Sequence, residues 1–236
     1  MHHVLLDRWS QGASPLHRRD ARAKILTLLV FLVVLATTPG DAFAVLATYA
    51  GLLASAILIA RLPLGSVLLR AAVVLPFSLT FACISWLAGE PWRALALVEK
   101  SYLSTVAVLL LAGTTPLPLL LGGLERLGTP RVLVLVAQFL YRYLFVLSEQ
   151  AQHIRLAAAC RQGGAGVRRR SGFRAATGAL AMLFARSYER AEGIHRAMQA
   201  RGFSGRFSLL HSPRFGARDG VFLLAVSAFL VLVRLG

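Results

Sequence analysis

Over its first half the chain alternates long apolar blocks with short polar breaks. A helix needs roughly 20 apolar residues to cross the hydrocarbon core of a bilayer, so blocks of that scale predict membrane spans. The first covers residues 23–38 and stops at Pro39 and Gly40. Asp41 is placed to cap the second, residues 42–60. Arg61, Pro63 and Gly65 make a short turn before the third, residues 67–88, which has Pro76 inside it. Packed neighbours tolerate such a proline within a bilayer. Gly89, Glu90 and Pro91 break the chain again. The fourth block, residues 92–113, has Trp92 and Tyr102 near Glu99 and Lys100, a mixture that suits the headgroup level.

After Gly113 the rhythm changes. Residues 116–127 form a short apolar helix ended by Gly128 and Pro130. Residues 131–161 read as one long helix whose apolar run, 132–140, is too short to span before Arg142 interrupts it, so an interfacial or cytoplasmic position is expected. A loop over 163–172 carries Arg168, Arg169 and Arg170, and a second long helix follows over 173–200. Its apolar residues Phe173, Ala176, Leu180, Leu183, Phe184, Ala191, Ile194 and Met198 recur at spacings of three and four and draw one stripe. Arg174, Arg186, Arg190 and Arg196 fall largely off that stripe. A last apolar block, 221–235, introduced by Asp219, is short for a span but is counted as one. The expected fold is all-α and polytopic: about five transmembrane helices plus a cytoplasmic arm of long amphipathic helices. Its parts are residues 1–113, 114–218 and 219–236.

Charge orients this arrangement. The chain is 57% hydrophobic, has a mean hydropathy of +0.66, and carries 26 Lys and Arg against 10 Asp and Glu. The only acids between residues 155 and 218 are Glu189 and Glu192, among many arginines, so this segment stays in the cytoplasm. Four spans before it put the N-terminus inside as well, in agreement with Arg18, Arg19, Arg22 and Lys24. The loops at Asp41 and Glu90 then lie outside, as does the C-terminus. No small-residue cleavage site follows the first block, so it is read as a retained span of a multi-pass inner-membrane protein.

Catalytic chemistry is hard to assemble from what remains. The sequence holds no GxxxxGK[ST], HExxH, GxSxG or calcium-loop pattern. Cys83 and Cys160 form no CxxC motif. His2 and His3 are adjacent but read as an N-terminal pair without a metal, and His153 and His195 lie on helices among arginines. No catalytic residue, metal or cofactor is expected. A secondary transporter would favour inverted repeats and midplane acids, and Glu99 is the sole candidate. A nucleic-acid surface would interleave aromatics among its arginines, whereas Phe173, Phe184 and Tyr188 fall mostly on the apolar stripe.

Each long helix closes on an arginine and a glycine: Ala159, Cys160, Arg161, Gln162, Gly163 in the first, and Ala197 to Ala200, Arg201, Gly202, Phe203 in the second. Such a glycine suits a left-handed cap and lets another chain approach closely, while the guanidinium can reach a partner's carboxylate. Together with Ser14-Pro15-Leu16-His17-Arg18-Arg19-Asp20-Ala21-Arg22-Ala23-Lys24, Thr114-Thr115-Pro116, Tyr141-Arg142-Tyr143 and Arg186-Ser187-Tyr188-Glu189-Arg190-Ala191, these motifs resemble the transmembrane coupling (T) component of energy-coupling-factor importers, in its CbiQ branch associated with cobalt uptake. The resemblance covers nearly the whole chain. It implies a scaffold that joins two ATP-binding-cassette ATPases to a separate substrate-binding membrane subunit within the lipid bilayer, with no nucleic-acid partner. It assigns ATPase docking to Ala159, Arg161, Gly163, Ala200, Arg201 and Gly202, although Cys160 and Gln162 interrupt the family's compact Ala-Arg-Gly, so either Gly163 or Gly164 stands for its first glycine. It assigns packing against the other long helix and the membrane partner to Phe173, Leu180, Leu183, Phe184, Ile194 and Met198. Arg168 to Arg170 are either a solvated loop or a contact for anionic lipid. Cobalt is the implied cargo; nickel, biotin or another vitamin are the alternatives, because another subunit reads it.

Overall fold

A computed structural model describes residues 9, 12, 14–161, 169–205 and 215–235, and it is helical throughout, with no strand among the described residues. The helices are α1 (Ala21–Thr37), α2 (Phe43–Ala60), α3 (Leu64–Ala71), α4 (Leu75–Leu87), α5 (Pro91–Thr114), α6 (Leu117–Arg126), α7 (Arg131–Arg161), α8 (Arg169–Ala200) and α9 (Ala217–Leu235). They fall into two compact units: residues 1–129 with 211–236, and residues 130–210.

In the first unit α1 is surrounded, packing on α5, α6 and α9, while α2 closes on α5 and α9. Phe31, Leu35, Leu46, Tyr49, Ile57, Val106 and Leu230 make the core. Tyr49 lies edge-on to Phe31, with centroids 5.9 Å apart, and its hydroxyl donates to the Leu230 carbonyl at 3.2 Å. That bond satisfies a phenol that burial would otherwise leave without water. At the other ends of α2 and α5, Phe43 meets the exposed Trp92 edge-to-face at 5.8 Å, an aromatic pair suited to a headgroup boundary.

The third expected span is real but broken. Leu64–Leu87 runs as α3, a 3-10 turn at Ala72–Val74, then α4. Pro76 is the cause: it has no N–H, and its ring crowds the carbonyl four residues back, at Ala72. The short helix α6, assigned to the arm by its sequence, instead packs on α1 in the first unit. Gly123 allows this, since a methyl group there would come within 3.1 Å of Ala21 Cβ.

Helix α7 also differs from expectation. Among the described residues four helices are long and apolar enough to cross a membrane: Phe43–Ala60, Leu64–Leu87, Pro91–Thr114 and Arg131–Cys160. The last was expected to be too short. Arg142 is the only charge between Val132 and Ser148, and an uninterrupted helix carries the apolar run across it. By contrast, α1 has 17 residues, and α9 carries Arg218, Asp219 and Arg234 at its ends.

A polar knot fastens one end of the first unit. Asp20 caps α1, accepting from the Arg22 N–H at 2.9 Å. One turn on, buried Lys24 spends its donors on the Thr114 carbonyl at 3.0 Å, Thr115 Oγ1 at 2.9 Å and the His17 carbonyl at 3.4 Å. Asp219, at the start of α9, accepts from the backbone N–H groups of Gly216 and Asp20 and pairs with Arg19 at 3.7 Å. His17 donates from Nε2 to the Trp9 carbonyl at 3.0 Å, and its Nδ1 is hydrogen-bonded with Ser14 Oγ at 2.7 Å. Lys24→Met should lower the unfolding free energy by about 2–4 kcal/mol, because it strands buried acceptors and unbalances Asp20 and Asp219. Thermal unfolding of the detergent-solubilised chain measures this; a wild-type midpoint would deny the knot its structural role.

Candidate docking arm

The second unit is built from α7 and α8, which pack against each other. On α8 the side chains that turn inward are Ala179, Leu183, Ser187, Ile194 and Met198, each half-buried. Leu183, Ile194 and Met198 therefore stand on the face toward α7. Leu180 and Phe184 do not: they are 66% and 72% exposed, and Tyr188, 60% exposed, continues their line. The single stripe drawn from the sequence is thus two adjacent faces, one against α7 and one open. At 3.6 residues per turn Leu180 and Leu183 stand about 60° apart round the helix, so a stripe that includes both is too wide to meet one neighbour along its whole width. The side chain of Phe173 lies outside the described residues.

Charge stays on the solvent side. Glu192 pairs with Arg196 at 3.0 Å and Glu149 with His153 at 3.8 Å, both exposed contacts one helical turn apart that add little stability. Arg186, Arg190 and Arg201 are exposed as well.

The second Arg-Gly motif has a definite geometry. Phe203 donates its N–H to the Met198 carbonyl at 3.0 Å, and Gly202 donates to the Gln199 carbonyl at 3.0 Å. This six-to-one and five-to-two pair is a Schellman closure, and it requires a left-handed residue, which Gly202 supplies with φ of 75°. A second glycine, Gly205, turns the chain again at φ of 79°. Ala200, Arg201 and Gly202 are all exposed, and no atom would meet a Cβ at Gly202. The glycine is demanded here by backbone conformation, and its open surface is free for close approach. At the first motif, α7 stays helical through Arg161 with Ala159 exposed. Gly163, Gly164 and Arg168 lie outside the described residues, as does the side chain of Arg161.

Sequence reasoning missed two features. It quoted the segment ending at Lys24 and the Thr114-Thr115-Pro116 motif separately, and the buried ammonium joins them. A lone lysine just inside an apolar block was the available signal. It also missed the open Leu180, Phe184, Tyr188 line, which regular spacing of four could have separated from the packed face.

Several helices long enough to span, together with a pair of long helices of which α8 ends in an exposed Arg-Gly closure, fit a component of a membrane. The chain matches the cobalt transport protein family CbiQ over residues 12–211, and it belongs to that family. It is similar to the cobalt transport protein CbiQ of Rhodobacter capsulatus, with 34% identity over 202 residues, 81% of this chain and 82% of that one. It is also similar to the energy-coupling factor transporter transmembrane protein EcfT of Bacillus selenitireducens, with 28% identity over 265 residues, 98% of this chain and 96% of that one. The protein is thus a multi-pass component of the bacterial cytoplasmic membrane, of the energy-coupling-factor transmembrane type.

Two outcomes follow for the arm. Gly202→Ala should cost about 1 kcal/mol at the end of α8 through its left-handed backbone, and amide exchange at Gly202 and Phe203 should quicken. Unchanged exchange would mean the closure is not held. Leu183→Asp should weaken the α7–α8 pairing by on the order of 2 kcal/mol, because half its surface is packed, whereas Leu180→Asp should leave that pairing intact. Limited proteolysis of the two variants compares them; equal sensitivity would contradict the division into two faces.

Proposed function

We propose that this chain transmits ATP-driven motion from two ATP-binding-cassette ATPases to a separate substrate-binding membrane subunit, and that the cargo is cobalt ion. The observation that supports it most is the exposed end of α8, where Arg201 stands beside a glycine held at φ of 75° with open space around it. That arrangement offers a cation and a bare backbone to an acidic groove. Arg161, at the end of α7, plays the same part for the second ATPase, with Ala159 and Ala200 keeping the flanking surface small. Movement of the two ATPases toward each other displaces the helix ends, and the α7–α8 contact at Leu183, Ile194 and Met198 carries the displacement along the arm. The chain itself hydrolyses nothing. Cobalt rests on the description of the family and on the name of the Rhodobacter relative. Nickel, biotin or another vitamin would leave the same arm unchanged, because the cargo is read by another subunit.

A charge-assisted contact contributes about 1.5–3 kcal/mol, so the Arg161→Ala, Arg201→Ala double variant should bind its ATPases at least a hundredfold less tightly. Co-purification from mild detergent after co-expression with the ATPases encoded beside it measures this, and radioactive cobalt uptake by the same cells follows transport. Loss of the ATPases and of uptake, with normal membrane insertion, is expected. If the double variant retains both, the arginines are not the docking residues. If wild type retains the ATPases but takes up nickel or a vitamin and no cobalt, the cargo assignment fails alone.

A further inference from the structure

The first unit contains a hollow beside its core, with Phe31 and Leu230 of the core and Lys24 and Thr114 of the polar knot in its lining. It measures about 250 Å³ and lies among α1, α2, α5 and α9, lined by Leu28, Phe31, Leu53, Leu110, Phe222 and Val226 among others. Its wall on the α2 side includes Ser55 and Ile59, and Ile59 is 54% exposed, so the hollow opens onto the surface of the spanning helices. An apolar cavity of roughly 150 Å³ stays dry and takes up a hydrocarbon as large as benzene. This one is larger, and α2, on its open side, is long and apolar enough to cross a bilayer.

A second, polar hollow adjoins it. Pro15, Arg18, Arg19, Arg218 and Asp219 line it, next in the chain to Leu16, which lines the apolar one. Phe222 joins the two: its ring faces the apolar hollow and the Arg19 guanidinium lies 5.7 Å above its centroid. Asp219 is already matched to Arg19 and to two backbone N–H groups. Arg18 and Arg218 are exposed and have no acid partner among the described residues. Two unmatched guanidinium groups therefore stand at the polar end of an apolar slot, on the side of the unit where the basic N-terminal segment enters α1.

We infer that this double hollow binds one anionic phospholipid of the cytoplasmic leaflet, its phosphate on Arg18 and Arg218 and one acyl chain in the slot beside Phe222. An ordinary solvated basic loop needs no apolar slot beside it, and an ordinary packing defect needs no paired cations at its mouth. A zwitterionic lipid would fill the slot but gain nothing from the net positive charge. The bound chain would fill the space among α1, α2, α5 and α9 and so lend packing contacts that the helices do not make with one another.

The full-length protein in mild detergent, incubated with equal amounts of phosphatidylglycerol and phosphatidylcholine, tests this by native mass spectrometry of the retained lipid. A near-surface arginine favours an anionic lipid by about fivefold, so wild type should prefer phosphatidylglycerol by about thirtyfold. The Arg18→Ala, Arg218→Ala double variant should bring the ratio near one while still retaining lipid. Ala56→Phe, which fills the slot from α2, should reduce retention of both lipids. Glycerol phosphate, the headgroup without a tail, should not displace phosphatidylglycerol. Equal retention of the two lipids by wild type, an unchanged ratio in the double variant, or displacement by glycerol phosphate would each overturn the inference. Both arginines are exposed, so the double variant decides the headgroup even if Ala56→Phe fails to fold, and the glycerol phosphate arm then decides the tail.

Discussion

The first unit depends on a single buried ammonium. Lys24 lies one turn into α1, inside apolar surroundings, and binds the carbonyl that ends α5, the hydroxyl that follows it, and the carbonyl of His17. A charge there would be costly without partners. With them it fixes the register between α1 and α5 and the place where the N-terminal segment turns into the membrane. The acids do the same at the next position: Asp20 caps α1, and Asp219 reaches from the first turn of α9 to the Asp20 backbone. Three chain segments far apart in sequence are thereby held at one level, and the apolar packing of Phe31, Tyr49 and Leu230 proceeds from it.

The arm is held differently. Its two helices have only each other within their unit, and much of their apolar surface stays open: Leu133, Val136 and Leu140 on α7, and Leu180, Phe184 and Tyr188 on α8. Open apolar surface of this extent marks a face for lipid or for another protein. That suits a transmitting element. A pair of helices joined by one contact face, with a Schellman closure at the end of α8, is able to shift without disturbing a core.

Much of this was legible. Pro39, Gly89, Pro91, Gly128 and Pro130 marked helix boundaries because each removes a donor or admits a conformation that a helix cannot continue. Gly202 marked its closure for the same reason. Arg61 marked a turn but not its conformation: it takes the same left-handed position, φ of 55°, at the end of α2, where glycine is usual, and tertiary packing must offset that strain. Pro76 was noticed, but the 3-10 turn before it depends on which carbonyl its ring displaces. The apolar reach of α7 was underestimated because a residue count stopped at Arg142, while a helix places one charge on one face only. Likewise the stripe on α8 was visible, but which part of it meets α7 depends on a crossing that no single helix encodes.

The cations themselves divide by task. Lysine occurs in this chain only at positions 24 and 100; the other basic residues are arginines. Both lysines turn inward to helix ends: Lys24 to the Thr114 carbonyl at the end of α5, and Lys100 to the Thr38 carbonyl at the end of α1. Those carbonyls carry the negative end of each helix dipole and have no partner within the helix. A compact ammonium with three donors on a flexible stem can enter a narrow space where such acceptors converge. Arginine reaches such a carbonyl from the exposed side, as Arg234 does at Thr37, and its planar fork suits carboxylates and phosphates met at a surface, which is where Arg18, Arg201 and Arg218 stand.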